Sequence, residues 1–448
     1  MSFPAYPVYK NSGVDWLGEI PEGWSIKPLW ALFRRHKLTG FPDEQLLSVY
    51  RDYGVIPKAS RDDNFNKPSD DLGAYQLVQI GDLAINKMKA WQGSVGISSH
   101  KGIVSPAYHV YAPSHSEASQ YLHHLFRCNE YIAGYLANSK GIRVNQWDLE
   151  PQQHSRMSVL LPSFQEQTQI ARFLDHETAR IDALIEEQQR LIELLKEKRQ
   201  AVISHAVTKG LDPAVPMKDS GVEWLGEVPA HWSSIQVGRV CRKVSDGPHF
   251  SPDYVDEGVM FLSARNIAVD GWHLDDAKFV SEEDYLEFCR RIVPEKGDVL
   301  YTKGGTTGIA RVVDLDDRFQ VWVHVAVLKL DRELVDPYYM AFALNSTGCY
   351  EQSQLHTRGA TNQDLGLTRM IKIWFALPPR EEQIRICEFL TQALSKIDDL
   401  IAEASTVTSL LSERRSALIS AAVTGKIDVR SWQPPASAFS PELAQEAV

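Results

Sequence analysis

The chain has 448 residues, of which 44% are hydrophobic and 23% charged, with a formal net charge of −11, a composition typical of folded protein with room for two to four domains. No run of ~18 apolar residues predicts a membrane span, and no basic segment followed by an apolar one predicts a signal peptide. The five cysteines form no C-x-x-C pair, which argues against a zinc ribbon or a disulfide framework and suits a reducing cytoplasm.

The first element of the chain is a short motif that occurs twice. KNSGVDWLGEIPEGWS begins at Lys10, and KDSGVEWLGEVPAHWS begins at Lys218. A second pair, LPSFQEQTQIARFL from Leu161 and LPPREEQIRICEFL from Leu377, repeats at nearly the same long spacing. Two matched pairs so far apart indicate a tandem duplication rather than a short-period solenoid.

Residues 30–155, after the first motif, contain short β-like runs broken by turns and a few helical stretches, which predict an α+β domain. Two of its loops, NKMKAWQGS and KGIRVNQWD, set basic and amide side chains beside tryptophan. Lys and Arg can reach phosphates or guanine edges, and Asn and Gln can pair with adenine. The predicted DNA contacts in this domain are Lys87, Lys89, Trp91, Gln92, Arg143, Asn145 and Gln146.

A long helix is predicted after each LP motif, because apolar residues recur at alternating steps of three and four, as in a coiled-coil seam. Each helix has roughly 40 residues, or about 60 Å. We expect the two helices to pack side by side and antiparallel; the alternative is that each folds against its own domain. The predicted seam and partner-binding residues are Leu174, Ile181, Leu184, Leu191, Leu195, Leu390, Ile397, Leu400, Val407 and Leu411.

Residues 240–375 differ in sequence from residues 30–155 and form a second variable region, which is also predicted to be an α+β domain. They hold 15 basic and 21 acidic residues, against 13 and 12 in residues 30–155. We therefore expect the positive groups to be concentrated on one face, or a basic partner to supply most of the phosphate attraction. The predicted DNA contacts, on glycine-rich polar loops, are Asp246, His249, Arg265, Asn266, Lys303, Thr306, Arg358, Thr361 and Asn362.

The sequence thus predicts an α+β fold with internal pseudo-twofold duplication, in which two mixed domains are joined by two long helices that form an antiparallel coiled coil. The predicted segments are a first domain at 1–160 with its constant segment at 10–29, a first helix at 161–212, a second domain at 213–376 with its constant segment at 218–237, a second helix at 377–430, and a flexible tail at 431–448.

Several catalytic and nucleotide-binding motifs are missing from the sequence. There is no G-x-x-x-x-G-K-[ST] phosphate loop, no glycine-rich fingerprint between a strand and a helix, no H-E-x-x-H and no G-x-S-x-G. We therefore expect no catalytic residues, no metal site and no cofactor in this chain.

The order SGVxWLGExPxxW, variable region, LPxxxEQxxI and long helix, given twice, resembles the specificity subunit of type I restriction-modification systems. The match covers nearly the whole chain, and the pairs Glu166-Gln167 and Glu382-Gln383 are its most specific part. The resemblance implies two target recognition domains that each read one half of a split, asymmetric DNA site. It also implies that the long helices act as a ruler for the gap between the halves.

The same resemblance implies a set of partners: double-stranded DNA, two modification subunits that are adenine methyltransferases, and restriction subunits with motor and nuclease activity. S-adenosylmethionine, ATP and Mg are expected on those partners, and the complex in the cytoplasm. Asn145-Gln146 and Asn362-Gln363 recur in both halves, consistent with a shared role at the DNA or the domain boundary. Two other functions remain open: an enzyme with an unrecognised site, and a scaffold or decoy that binds methyltransferase subunits without reading DNA.

Overall fold

The computed structural model describes residues 3–51, 53–61, 67–143, 146–359 and 364–435. The chain divides into two compact units. The first consists of Met1–Gln188 and Thr406–Val448, and the second of Gln189–Ser405. Most of the predicted tail at 431–448 lies outside the described residues.

The first unit is built on a four-stranded antiparallel sheet. The strands of the whole unit are β1 (Tyr9–Asn11), β2 (Glu19–Pro21), β3 (Ser25–Pro28), β4 (Phe33–His36), β5 (Leu47–Tyr50), β6 (Gly54–Pro57), β7 (Gln76–Val78), β8 (Leu83–Asn86), β9 (Val95–Ile97), β10 (Gly102–Val104), β11 (Tyr108–Pro113), β12 (Ser139–Arg143), β13 (Gln146–Leu149) and β14 (Ser158–Leu161). Its helices are α1 (Ser119–Arg127), α2 (Asn129–Ala137), α3 (Pro151–Arg156), the first part of α4 (Phe164–Lys209) and the last part of α9 (Arg380–Val423). The central sheet has the order β4–β11–β8–β9, and its apolar face packs with α1, α2 and the start of α4 in one core.

The second unit contains the corresponding sheet. Its strands are β15 (Met217–Asp219), β16 (Glu227–Pro229), β17 (Ser233–Gln236), β18 (Cys241–Asp246), β19 (Val259–Leu262), β20 (Lys278–Val280), β21 (Val299–Thr302), β22 (Ala310–Val312), β23 (Phe319–Val321), β24 (Val325–Leu330) and β25 (Trp374–Leu377). Its helices are the last part of α4, α5 (Glu282–Cys289), α6 (Pro337–Leu344), α7 (Thr347–His356), α8 (Leu367–Met370) and the first part of α9 (Arg380–Val423). The central order β18–β24–β21–β22 repeats that of the first unit, and a smaller sheet, β20–β19–β23, is added beside it.

The same tight turn enters the third strand of each central sheet. Gly81 and Gly297 have φ values of 92° and 81°, a region that glycine adopts without steric cost. The aspartate that follows each glycine accepts a backbone hydrogen bond, at 2.9 Å for Asp82 and 2.8 Å for Asp298. These Gly-Asp pairs show that the variable regions were duplicated together with the motifs that flank them.

The repeated motifs are hydrogen-bonded to each other within each unit. Nε1 of Trp24 donates to Oε1 of Glu166 over 3.1 Å, and Nε1 of Trp232 donates to Oε2 of Glu382 over 2.9 Å. Both tryptophans are buried. Since each glutamate lies in the first turn of a long helix, where negative charge is favourable, the paired motifs fix the start of that helix against its unit.

The glutamine that follows each glutamate is fully buried and anchors the same helix start. The side-chain oxygen of Gln167 accepts from the backbone nitrogen of Ala118, and that of Gln383 accepts from the backbone nitrogen of Asp336. A buried amide must be satisfied in this way, because an unpaired one would destabilise the fold.

The long helices α4 and α9 pack antiparallel. In the first unit Arg415 donates two hydrogen bonds to Asp182, and in the second unit Arg199 donates to Asp398 over 2.9 Å. Asp182 comes before Arg199 along α4, whereas its partner Arg415 comes after Asp398 along α9, as antiparallel packing requires. The predicted fold class is therefore confirmed: two mixed α/β units share two long helices that form an antiparallel coiled coil.

The seam follows buried and half-buried positions at alternating steps of three and four residues. It contains Ile181, Ile185, Gln188, Ile192 and Leu195 on α4, and Ile397, Ile401, Ala404, Thr408 and Leu411 on α9. Leu174 and Leu390, also predicted for the seam, are buried in the cores of the two units.

Four predicted seam residues are corrected by the structure. Leu184, Leu191, Leu400 and Val407 each lie one position before a seam residue, and each is exposed. Because an apolar residue stands at both positions in three of the four cases, spacing alone could not choose between the two rows.

Neither α4 nor α9, nor any shorter helix in the described part of the chain, has the apolar length needed to cross a bilayer.

Candidate nucleic-acid interface

Lys303, directly after β21, is the residue on which the predicted DNA loops of the second unit converge. Its side chain is 4% exposed, and its ammonium lies 3.3 Å from the carboxylate of Asp246 and 3.1 Å from that of Asp364. The backbone nitrogen of Leu365 also donates to the carbonyl of Lys303 over 2.8 Å. Lys303 is thus a buried residue that joins three loops, which corrects its prediction as a direct DNA contact.

Asp246, at the end of β18, is likewise buried and was wrongly predicted to face DNA. Its carboxylate accepts from Arg291 over 2.7 Å and from His249 over 3.2 Å. Burial alone would raise the pKa of Asp246, but the hydrogen bonds from Arg291 and His249 and the charge of Lys303 outweigh it and lower that pKa. Asp246 is therefore an ionised acceptor that holds three cationic or polar groups in place.

Asn266 is a third predicted DNA contact that the structure places in the interior. Its amide oxygen accepts from the backbone nitrogen of Ser263 over 2.8 Å, and its amide nitrogen donates to the carbonyl of His273 over 2.8 Å. Its neighbour Arg265 is exposed and lies 3.4 Å from Asp276. Of this pair, only Arg265 has a side chain on the surface.

The remaining described candidates of the second unit are at the surface. His249 and Thr306 are exposed, as is Arg358, whose backbone forms two hydrogen bonds with Asp364 at 3.1 and 2.9 Å. The predicted contacts Thr361 and Asn362 lie outside the described residues. The network around Lys303 therefore brings three separate exposed loop residues onto connected loops.

Arg291 is a candidate that the sequence prediction missed. Its side chain is 45% exposed and is positioned by two hydrogen bonds to Asp246, one to the carboxylate and one to the carbonyl. It follows α5 in a segment without glycine-rich polar character, so no loop signal marked it. The signal available was the pair Arg290-Arg291 in an otherwise acidic region.

The first unit has the counterpart of this arrangement. The ammonium of Lys87 lies 3.5 Å from the carboxylate of Asp148, and the backbone nitrogen of Leu149 donates to the carbonyl of Lys87 over 3.1 Å. The ion pair joins the loop after β8 to the hairpin β12–β13. Lys87 is half-buried, so it too serves first to hold two loops together.

The other predicted DNA contacts of the first unit lie on the same two segments, the loop after β8 and the hairpin β12–β13. Lys89 and Gln92 are exposed, while Trp91 is half-buried and its Nε1 donates to the carbonyl of Met88 over 3.1 Å. Arg143 and Gln146 end and begin the two strands of the hairpin. Asn145 lies outside the described residues.

We call the pairs Lys87–Asp148 and Lys303–Asp364 the loop clamps. Each joins the loop after the third sheet strand to a second loop, through one ion pair and one backbone hydrogen bond. The two units thus share one way of orienting loops whose sequences differ.

Both long helices also expose apolar side chains at matching positions. Counted from the LP motif, the three positions on α4 equal the three on α9, and these side chains are 36–59% exposed. We call them the exposed rows: Leu184, Leu191 and Leu194 on α4, and Leu400, Val407 and Leu410 on α9. These aligned apolar residues are the candidate interaction surface of each helix.

No three His, Cys, Asp or Glu side chains of the described residues lie close enough together to hold a metal ion. The polar residues brought together here hold the loops against one another.

Comparison with known proteins agrees with this arrangement. Residues 264–405 match the family model described as Type I restriction modification DNA specificity domain. The chain is 24% identical over 445 residues to a putative type I restriction enzyme MjaX specificity subunit of Methanocaldococcus jannaschii, covering 93% of this chain and 96% of that one. It is 21% identical over 443 residues to the type I restriction enzyme StySPI specificity subunit of Salmonella potsdam, covering 93% and 91%.

The fold also matches a solved structure from work on complex assembly and conformational transition of the type I R-M system. The TM-score is 0.66 at 17% identity, covering 90% of this chain and 98% of that chain. The repeated motifs and the doubled sheet agree with these likenesses to type I restriction-modification specificity subunits.

Proposed function

We propose that this chain is the DNA-recognition subunit of a type I restriction-modification complex, and that each unit reads one half of a bipartite, asymmetric site in double-stranded DNA. The observation that carries the proposal is the duplicated loop clamp. It holds different loop sequences on the same scaffold, which is what two readers of unlike sequences need.

The net charge of −11 does not prevent DNA binding, because affinity depends on local groups of Lys and Arg. In the second unit Asp246 and Asp364 are neutralised by Lys303 and Arg291. His249, Arg291 and Arg358 stay exposed on the connected loops. The overall acidity nevertheless leaves most of the phosphate attraction to the partner subunits.

The exposed rows support a role in assembly. The same three apolar positions recur on α4 and α9, so one kind of partner can be bound twice. In the proposed complex these partners are two adenine methyltransferase subunits, joined by restriction subunits. S-adenosylmethionine, ATP and Mg belong to the partners, the chain itself is non-catalytic, and the free cysteines suit the cytoplasm.

The test is the DNA specificity of the purified chain assembled with its modification subunits. Methylation mapping should give one bipartite sequence. Replacement of Arg358 by Ala should relax specificity or weaken binding by about tenfold at the half-site of the second unit alone, since one good base contact contributes ~1–3 kcal/mol. Replacement of Lys89 by Ala is the matched control and should affect the other half-site.

Three results would count against the proposal. Equal loss at both half-sites would contradict separate reading by the two units. Binding of modification subunits without any sequence preference would favour the scaffold or decoy function. Methyl transfer or DNA cleavage by the chain alone would favour an enzyme.

A further inference from the structure

The side chain of Tyr6, in the N-terminal segment, lies against the start of α4 in the first unit. It is 7% exposed, its ring packs against Trp24 at 5.8 Å, and the guanidinium of Arg430 lies 4.9 Å over the ring. Its hydroxyl donates to Oε1 of Glu166 over 2.6 Å. A whole phenol ring is thus enclosed beside the carboxylate that receives the repeated tryptophan.

The second unit lacks this ring but keeps its surroundings. The register is fixed by equivalent backbone hydrogen bonds, from Glu22 to Val8 in the first unit and from Ala230 to Pro216 in the second. Two residues before Val8 stands Tyr6, and two residues before Pro216 stands Ala214. Trp232 and Glu382 occupy the places of Trp24 and Glu166.

A cavity of about 160 Å³ in the second unit is lined by Val215, the neighbour of Ala214, and by Glu382, the counterpart of Glu166. Leu211, Val215 and Ile386 form its apolar walls, and Glu382 lines its polar side. A cavity of ~150 Å³ is large enough to bind benzene. The space therefore fits one aromatic ring.

The polar groups of the cavity favour a phenol. Nε2 of His231 lies 2.7 Å from Oε1 of Glu382, the counterpart of the carboxylate that the Tyr6 hydroxyl contacts in the first unit. A carboxylate offers about four lone-pair sites, so Glu382 can still accept a hydroxyl besides His231 and Trp232. Arg385, which lines the cavity and is exposed, can stack on a ring as Arg430 does on Tyr6.

We propose that this cavity binds a tyrosine side chain presented by a protein partner, in the way that the first unit binds its own Tyr6. The occupant is a subunit of the assembled complex, and in that respect the inference rests on the proposed function. The cavity makes the two units chemically different, because a tyrosine of the chain fills this site in the first unit and no ring among the described residues fills it in the second. One modification subunit can therefore be bound more tightly than the other.

The first test uses p-cresol, the side-chain analogue of tyrosine, with the full chain. We expect saturable binding, seen as p-cresol in the cavity of a soaked crystal and as a rise in Tm. Ala214→Tyr and, separately, Ile386→Trp should abolish it by filling the space. Tyr6→Ala is the matched positive control, because it should open the corresponding cavity in the first unit and add a second p-cresol site.

The second test measures binding of the modification subunit to the wild-type chain and to the two filled variants. We expect the tighter of the two binding steps to weaken by about tenfold or more, the loss typical of a buried aromatic anchor. Absence of p-cresol from the wild-type cavity while the Tyr6→Ala cavity binds it would overturn the proposal, as would unchanged subunit affinity in both filled variants. Failure of the proposed function would instead appear as loss of DNA sequence preference, which p-cresol binding does not measure.

Discussion

Lys303 and Lys87 are equivalent residues in the two loop clamps, but they differ in burial. The Lys303 side chain is 4% exposed, against 32% for Lys87. Removing one partner of a buried ion pair costs ~3–5 kcal/mol, because the remaining charge is left uncompensated, whereas a more exposed pair contributes ~1 kcal/mol or less.

We therefore expect Lys303→Met to lower the free energy of unfolding by about 3 kcal/mol and Lys87→Met by about 1 kcal/mol or less. Denaturant unfolding of the two variants tests this difference. If Lys303→Met unfolds like the wild type and only loses DNA affinity, Lys303 is a DNA contact after all.

Asp246 gives the second unit a stability that depends on pH. Its folded-state pKa is lower than its ordinary value, so it stabilises the fold fully above the unfolded pKa of about 3.9 and loses that contribution as the pH falls through the lower folded value. The unfolding free energy of the wild type should therefore fall more steeply below about pH 4 than that of Asp246→Asn. Parallel pH profiles between pH 2.5 and 6 would contradict this role.

At the scale of single residues, the sequence did not predict which of the loop side chains are buried. The loops were identified by glycine and by polar side chains, and the structure joins them in each unit. Lys303, Asp246 and Asn266 nevertheless point inward, because a polar residue in a loop motif looks the same whether it contacts DNA or holds a neighbouring loop. Arg291 was missed for the converse reason, since its position depends on Asp246, distant in sequence.

The long helices show the same limit at the scale of an element. Their existence and three-four periodicity followed from the sequence, since heptad spacing is a local property. The expected antiparallel packing is seen in the ion pairs between the two helices. The choice between adjacent apolar rows did not follow from the sequence, because Leu184 and Ile185 fit the period equally well. The row facing the partner helix is selected by contacts such as Arg415–Asp182, which join residues far apart in the chain.

Leu194 and Leu195 separate the two functions of a helix at adjacent positions. Leu195 is 8% exposed in the seam, and Leu194 is 52% exposed in an exposed row. We expect Leu195→Ala to lower the free energy of unfolding by about 2–4 kcal/mol, and Leu194→Ala to change it by about 0.5 kcal/mol or less. Leu194→Ala should instead weaken binding of the modification subunit in a titration; unaltered binding would show that the exposed rows are not the docking surface.

At the scale of the whole molecule, duplication explains both what is shared and what differs. The sheet order, the Gly-Asp turn and the loop clamp recur, so the scaffold and its way of holding loops were copied once. The loops themselves differ, as does the charge of the two variable regions. Under the proposed function this division is useful, because new sequences can be read by changing loops while the proposed assembly surface stays constant.

Both α4 and α9 run through both units, so their length should set the gap in the DNA site. Inserting seven residues after Gln188 in α4 and seven after Ser405 in α9 keeps the seam in phase, because the seam repeats every seven residues. It lengthens each helix by about 10 Å, or about three base pairs at 3.4 Å each. Methylation mapping of the assembled variant should therefore give the same two half-sites with a gap about three base pairs longer. A four-residue insertion in α4 alone is the control and should abolish specific methylation, since it puts the seam out of register. If the heptad variant methylates the original site with its original gap, the helices do not act as the ruler.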